Sequence, residues 1–233
     1  MNDRRAEEFL DLYRRLETAA EKITGGGNRN SSVMALAHHR EFRKYRDELD
    51  YARQVRNLLS HEAKINGAYG VVPGETLFRF MEKMVNRLEN PPTVQQVMTP
   101  VKDLLLATPN HSVLSLMKEM EQRGLSHLPL LEQGKVVGMF SLETVFQWVL
   151  HQKEPFDEHT TIQHLAPYLP LEPRLGTCYV TVPSTMRVND AKEVFDKAYE
   201  RNQKIKLLLV TQKGTAQDKL LGVVSPYDLL EKD

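Results

Sequence analysis

One pattern in the second half of this chain restricts its fold more than any other: a line of sequence that occurs twice. Lys135-Val-Val-Gly-Met-Phe-Ser141 can be laid over Lys219-Leu-Leu-Gly-Val-Val-Ser225, with glycine and serine at equal positions and a new helix expected after each serine. The flanking grammar repeats as well. In the first copy an apolar run, Leu104 to Ala107, precedes a helix with Val113, Leu116, Met117 and Met120 on one face. Two strands follow, His127 to Leu131 and Lys135 to Ser141, around the turn Glu132-Gln133-Gly134. The second copy runs Tyr179 to Val182, a helix with Val188, Ala191, Phe195 and Ala198, then Ile205 to Thr211 and Lys219 to Ser225. Each copy reads β-α-β-β-α, with Glu154 to Thr177, rich in proline and acidic residues, as the connector.

Residues 1 to about 92 follow a different rule, since their apolar positions recur at helical spacing. Phe9, Leu12, Tyr13, Leu16, Ala20 and Ile23 form one stripe, closed by Gly25, Gly26 and Gly27. A second helix is predicted to start at Ser31 or Ser32 and to run to about His61 with a break near Asp50. Asn66 to Gly74 reads as a loop, and Leu77, Met81, Met84, Val85 and Leu88 line a last helix. Asn90, Pro91 and Pro92 end it, because proline cannot continue a helix. The fold class is therefore α+β: an all-α bundle over 1–92, a first repeat over 93–153, and a connector with the second repeat over 154–233.

Composition narrows the function. Thirty-one Lys and Arg balance thirty-one Asp and Glu, so no net field draws the chain to nucleic acid or to an anionic membrane. No apolar run reaches the roughly 18 residues of a membrane span, and the charged start MNDRRAEEFL does not read as a signal peptide. The single cysteine, Cys178, excludes an internal disulfide and a cysteine metal cluster. A soluble, cytoplasmic protein with no metal is the expectation.

The repeat resembles a tandem pair of CBS domains. The residues that carry the resemblance are Val97-Met98-Thr99-Pro100, Ser126-His127-Leu128-Pro129-Leu130-Leu131 and the two Gly-x-x-Ser lines, and it covers about 60% of the chain, from Val94 onward. The resemblance implies a pseudo-twofold pair with two clefts that bind adenosine compounds such as AMP, ADP, ATP or S-adenosylmethionine as regulatory ligands rather than cofactors. Ser225-Pro226-Tyr227-Asp228 opens the last expected helix with an N-cap serine and proline at the first helical position. In the family this serine and aspartate hold ribose and phosphate; by itself Ser-x-x-Asp also simply caps a helix. Around them the resemblance places adenine near Tyr179, Val180 and Thr181 and near Lys206, Leu207 and Leu208. The first copy has Ser141-Leu142-Glu143-Thr144 at the matching place, so its cleft is expected to be weak, altered or empty.

The first 92 residues hold twelve of the sixteen arginines. Arg56-Asn57-Leu58-Leu59-Ser60-His61 resembles the Arg-x4-His motif of HEPN domains, whose ribonuclease members imply metal-independent RNA cleavage with His61 moving a proton and Arg56 stabilising phosphate charge. The competing reading pairs Arg56 with an acid such as Asp47 or Glu48 and leaves His61 at a helix C-terminus. His38, His39, His151, His159 and His164 read as non-catalytic, and Phe146 and Trp148 as packing residues. The leading expectation is a homodimeric regulatory protein in which an adenine nucleotide bound by the repeats controls the helical domain. The alternatives are a nucleotide-gated ribonuclease with RNA as partner and an interaction module that binds no ligand. The sequence leaves enzyme activity open.

Overall fold

A computed structural model describes residues 2–25, 29–61, 69–151, 156–171 and 177–230, the side chains of 2, 3, 29–31, 61 and 177 excepted. The chain divides between Pro91 and Pro92 into two compact units.

The first unit consists of α1 (Asn2–Thr24), α2 (Arg29–His38), α3 (Arg46–His61) and α4 (Glu75–Glu89). Phe9, Leu16, Leu36, Phe42, Leu49, Met81 and Met84 fill one core, and α1 packs against the other three helices. Leu77, Met81, Met84, Val85 and Leu88 of α4 are all buried. Two details differ from expectation. Helix α2 already includes Arg29, and Ser32, far from being a cap, donates from inside it to the Glu17 carbonyl at 3.3 Å. The break lies at residues 39–45 rather than near Asp50. Asp50 is held in mid-helix by Arg53 and Gln54, each 2.8 Å from its carboxylate, whereas Phe42 is buried in a turn that closes from His39. The expected loop is non-helical over 69–74, and its residues 66–68 lie outside the described ones.

The second unit begins with α5 (Val94–Val97) and β1 (Thr99–Pro100). The first repeat follows with α6 (Val113–Arg123), β2 (His127–Glu132), β3 (Lys135–Ser141) and α7 (Leu142–His151). The second has β4 (Thr177–Pro183), α8 (Val188–Glu200), β5 (Lys204–Thr211) and β6 (Leu220–Val224), then a 3-10 turn, Pro226–Leu229. One sheet has the order β1-β6-β5-β4, with β4 and β5 parallel, and the other is the β2-β3 hairpin. Gln133 and Gly134 turn that hairpin at φ 51° and 82°, the left-handed pair a two-residue connection requires. The strand expected over Leu104–Ala107 shrinks to one bridge, Ala107 to Leu130. A 3-10 turn, Val101–Asp103, takes the residues before it and Pro109 follows at once, so little extended backbone remains.

The two repeats exchange their lead-in segments. Val94 N–H donates to Met186 O at 2.9 Å, Gln95 N–H to Ser184 O at 3.3 Å, and Val188 N–H to Pro92 O at 2.9 Å, tying the head of the first repeat into the second. The reverse set matches it bond for bond. Ile162 N–H donates to His111 O at 3.0 Å, Gln163 N–H to Pro109 O at 2.9 Å, and Val113 N–H to Thr160 O at 2.9 Å. Val94 is buried in the core of the second repeat, and Ile162, Leu165 and Leu169 in that of the first. The stretch expected to be a mere connector thus contains a structural element, the 3-10 segment Ile162–Tyr168, although its residues 154, 155 and 172–176 lie outside the described ones.

This exchange explains the repeated glycine. A Cβ on Gly138 would meet Leu169 O at 3.0 Å and Leu169 Cβ at 3.1 Å; one on Gly222 would run into Thr99 O and meet Met98 Sδ at 2.9 Å. Each glycine lets a lead-in backbone lie flat on its strand. Gly222→Ala is expected to lower the stability of the second unit by about 1–3 kcal/mol through overpacking, measured by urea unfolding. Gly70→Ala, with nothing within 4 Å of the added carbon, serves as control and should change little.

Candidate functional site

The two repeats meet through Met139 on one side and Leu209, Leu220 and Val223 on the other, with Leu104, Tyr179 and Leu207 packed at the margin. Ser141 and Ser225 end the two Gly-x-x-Ser lines, and each heads a turn whose fourth residue returns to it.

At Ser225 the backbone N–H and the hydroxyl both donate to Asp228 Oδ2 at 2.7 Å. That oxygen is spent on the local cap, while Oδ1 has no protein partner among the described residues. The expected last helix is in fact the four-residue 3-10 turn. Leu230 turns extended directly after it, so the aligned dipoles of a full helix are missing. Pro226 is exposed, and Tyr227 is 81% exposed.

Of the flanking residues expected beside Ser225, the structure divides the side chains among three places. Leu208 and Val180 pack in the core of the second repeat, away from the junction. Leu207 faces the junction, and Thr181 pairs with Leu209. Tyr179 and Lys206 reach toward Ser141 and Glu143. For Lys206 the physical reason is a bulge: Cys178 pairs with Ile205 and Tyr179 with Leu207, so Lys206 is left without a partner on β4. Its Nζ lies 3.8 Å from Glu143 Oε1.

Around Ser141 both repeats therefore contribute to one polar cluster. Ser141 N–H donates to Thr144 Oγ1 at 3.1 Å, and Thr144 donates to Met139 O at 3.2 Å, so Thr144 takes over the capping part that Asp228 plays in the other copy. His127 Nδ1 lies 2.7 Å from Ser126 Oγ, and its Nε2 is 3.7 Å from Glu143 Oε2. The Tyr179 ring meets the imidazole edge-on at 5.8 Å between centroids. Burial works against ionisation of Glu143, yet hydrogen bonds from its own N–H and Ser141, with the charges of His127 and Lys206, hold its carboxyl below the ordinary value. Burial and the neighbouring Glu143 carboxylate both push the Tyr179 phenol up, against a hydrogen bond with Ser141. His127 is shifted down, first by burial and further by Lys206, against the pull of Glu143.

In the helical unit Arg56 does not stand open to a substrate. Its guanidinium lies 3.5 Å from the buried Glu17 carboxylate, 3.2 Å from Asn57 Oδ1, and over the Tyr13 ring at 5.6 Å. The partner acid is on α1, not the Asp47 or Glu48 that sequence proximity suggests. His61 ends α3, and its side chain lies outside the described residues. Sequence reasoning passed over Glu17, whose signal was a carboxylate placed between Leu16 and Ala20 on an otherwise apolar stripe. Among the described residues no group of His, Cys, Asp and Glu is arranged to hold a metal, and no helix is long and apolar enough to cross a membrane. His164 caps the Ile162 turn by accepting from Thr161 N–H at 3.0 Å, and His151 stacks on Tyr168. Trp148 packs as expected, but Phe146 is 50% exposed and does not.

The direction of the His127 shift has a consequence for stability. The folded chain binds the proton less readily than the unfolded one, so the contribution is complete above the ordinary pH 6.5 and is lost as pH falls from there through the folded value. Unfolding temperature should therefore drop on acidification below pH 6.5, and His127→Gln should flatten that dependence. A calorimetric pH series on both proteins checks it; parallel curves would contradict it.

Comparison with known proteins follows the same division of the chain. The model of the family described as CBS domain matches residues 94–151. No curated protein matches the sequence. Among solved structures, CBSX2 in complex with AMP is similar at 18% identity over 59% of this chain and 92% of that one, with a TM-score of 0.41. A putative acetoin utilization protein, AcuB, from Vibrio cholerae shares 17% identity over 59% and 87%, with a TM-score of 0.44. The CBS domain pair of protein MJ0100, in complex with 5′-methylthioadenosine and S-adenosyl-L-methionine, shares 17% over 60% and 93%, with a TM-score of 0.41. The first of the two repeats, residues 94–151, thus matches the CBS domain family.

Proposed function

We propose that residues 92–233 act as a CBS pair that binds an adenine nucleotide and, in a cytoplasmic homodimer, passes its occupancy to the N-terminal helical unit. The observation that carries this reading is the state of Asp228. One carboxylate oxygen fixes the turn through Ser225, and the other has no partner among the described residues, beside an exposed Pro226 and Tyr227. A carboxylate held in this way accepts hydrogen bonds from the vicinal hydroxyls of a ribose without first being reoriented. The exposed turn leaves the phosphate in solvent contact. The match of residues 94–151 to the CBS domain family supports the same reading. Coupling takes the form of a population shift, in which ligand favours one arrangement of the two repeats over another.

The dimer rests on α7. Leu142, Phe146, Val149 and Leu150 recur at helical spacing and all stand exposed, a contiguous apolar stripe of the kind that soluble monomers cover. Antiparallel pairing of two copies along this stripe also opposes their helix dipoles.

Two measurements test the proposal. Calorimetric titration with AMP, ADP and ATP should give saturable binding to the wild type, weakened by about ten-fold or more in Asp228→Asn through loss of a charge-assisted hydrogen bond; asparagine retains an acceptor for the Ser225 cap. Absence of heat with all three nucleotides, or equal affinity in the variant, would remove the reading. Phe146→Glu should convert a dimer to a monomer in light scattering, and a wild type already monomeric at micromolar concentration would refute the dimer.

A further inference from the structure

Between α2 and α3 the backbone of the helical unit repeats every third residue. His39 N–H donates to Leu36 O at 3.0 Å, Phe42 N–H to His39 O at 3.0 Å, and Tyr45 N–H to Phe42 O at 2.8 Å, the last closing a 3-10 turn over Arg43–Tyr45. A three-residue period sets side chains i and i+3 above one another. One such row faces the core: Leu36 and Phe42 are buried, and His39 and Tyr45 are half-buried. The row one residue later is Arg40, Arg43 and Arg46, and all three are exposed.

Charge gathers at this row. Residues 38–46 hold four cations and one acid, whereas the rest of residues 1–92 holds twelve cations and thirteen acids. The acid within the turn, Glu41, is drawn to Arg87 at 3.7 Å. Arg43 has no acidic partner among the described residues. Arg46 opens α3, the helix end whose dipole is already positive, where a cation is disfavoured. Asp47, Glu48 and Asp50 follow it and offset part of that cost.

The surroundings of the row discriminate among anionic partners. A membrane surface calls for apolar side chains that insert, and no large apolar residue of 38–46 is exposed. Single-stranded nucleic acid calls for open ring faces on which bases stack. Here Phe42 is buried, and the Tyr45 ring has Lys44 Nζ over it at 5.2 Å, the Arg87 guanidinium at 5.9 Å and the Phe80 ring at 6.1 Å. A phosphate backbone running on past Arg46 would also meet Asp47 and Glu48, both exposed. A short acidic peptide meets none of these objections. Alternate side chains of an extended strand recur every ~6.6 Å, close to the ~6 Å between residues three apart at a rise of ~2.0 Å, and each carboxylate can take the fork of one arginine.

We infer that the row Arg40, Arg43 and Arg46 is a docking site for an acidic peptide segment of a partner protein, with carboxylates at alternate positions. The site lies wholly within the helical unit and is independent of nucleotide binding by the repeats.

The experiment uses the full chain and a fluorescein-labelled Ser-Glu-Ser-Glu-Ser-Glu-Ser peptide, followed by anisotropy. Binding should saturate at low salt and weaken as salt screens the charges. The double variant Arg40→Glu, Arg43→Glu should lose about ten-fold or more in affinity, whereas Lys118→Glu, an exposed cation on α6, should lose little. In the unaltered protein the assigned backbone amides of 39–46 should shift on addition of the peptide, a readout that needs no variant. No saturable binding, equal losses in the two proteins, or unmoved amides would overturn the inference. So would tighter binding of an oligouridylate of equal charge, which would make the partner a nucleic acid. Failure of the Asp228 reading leaves a different mark, since Asp228→Asn does not touch peptide binding.

Discussion

The second unit depends on the exchange of lead-in segments. Neither repeat closes its core with its own chain. Val94, which opens the first repeat, is buried with Val182, Leu208 and Val224 of the second, and Ile162, which precedes the second, is buried with Val113, Leu128 and Phe140 of the first. The burial of one such side chain contributes on the order of 1.5–3 kcal/mol, and three matched backbone hydrogen bonds fix each segment in place. Separating the repeats would open both cores together. The polar groups at the junction therefore sit on a reciprocal frame supplied by both repeats.

Much of this arrangement can be read directly in the sequence, and what cannot be read has a physical cause. The hairpin lines are legible because strand alternation and a two-residue turn are local properties. The α4 stripe is legible because Leu77, Met81, Met84, Val85 and Leu88 need only helical periodicity. The lead-in exchange left a trace that went unused, Thr93-Val-Gln-Gln-Val97 against Thr161-Ile-Gln-His-Leu165. Both segments begin with a Thr that caps a short helical turn, its backbone N–H bonded to Gln96 in one case and His164 in the other. Thr93-Val-Gln-Gln96 fits the Ser/Thr-x-x-Glu/Gln capping pattern, whereas His164 departs from it, and proline and acidic residues nearby disguise the second segment as a linker. The side assignment of Lys206 was not legible at all. It turns on one bulged residue in β5, and a register shift leaves no mark in composition or period.

In the helical unit the arginine of the Arg-x4-His pattern has a packing role of its own. Arg56 and Asn57 stand where the Arg-x4-His pattern places them, yet the guanidinium is engaged with Glu17, Tyr13 and Asn57. Burying Glu17 without a cation would be costly, so this arginine is already committed to holding α3 against α1. A guanidinium so held has little freedom to follow charge on a substrate. Tyr13 beside it is pushed up to about 12, by burial first and then by the Glu17 carboxylate, which marks the same spot as a desolvated packing site.

The exchange also decides which repeat holds the start of the second unit. By chain order the helical unit precedes the first repeat, but Pro92 accepts from Val188 at the head of α8, and Val94 and Gln95 donate to Met186 and Ser184 in the same repeat. The chain leaving the helical unit is thus anchored to the second repeat before it reaches the first.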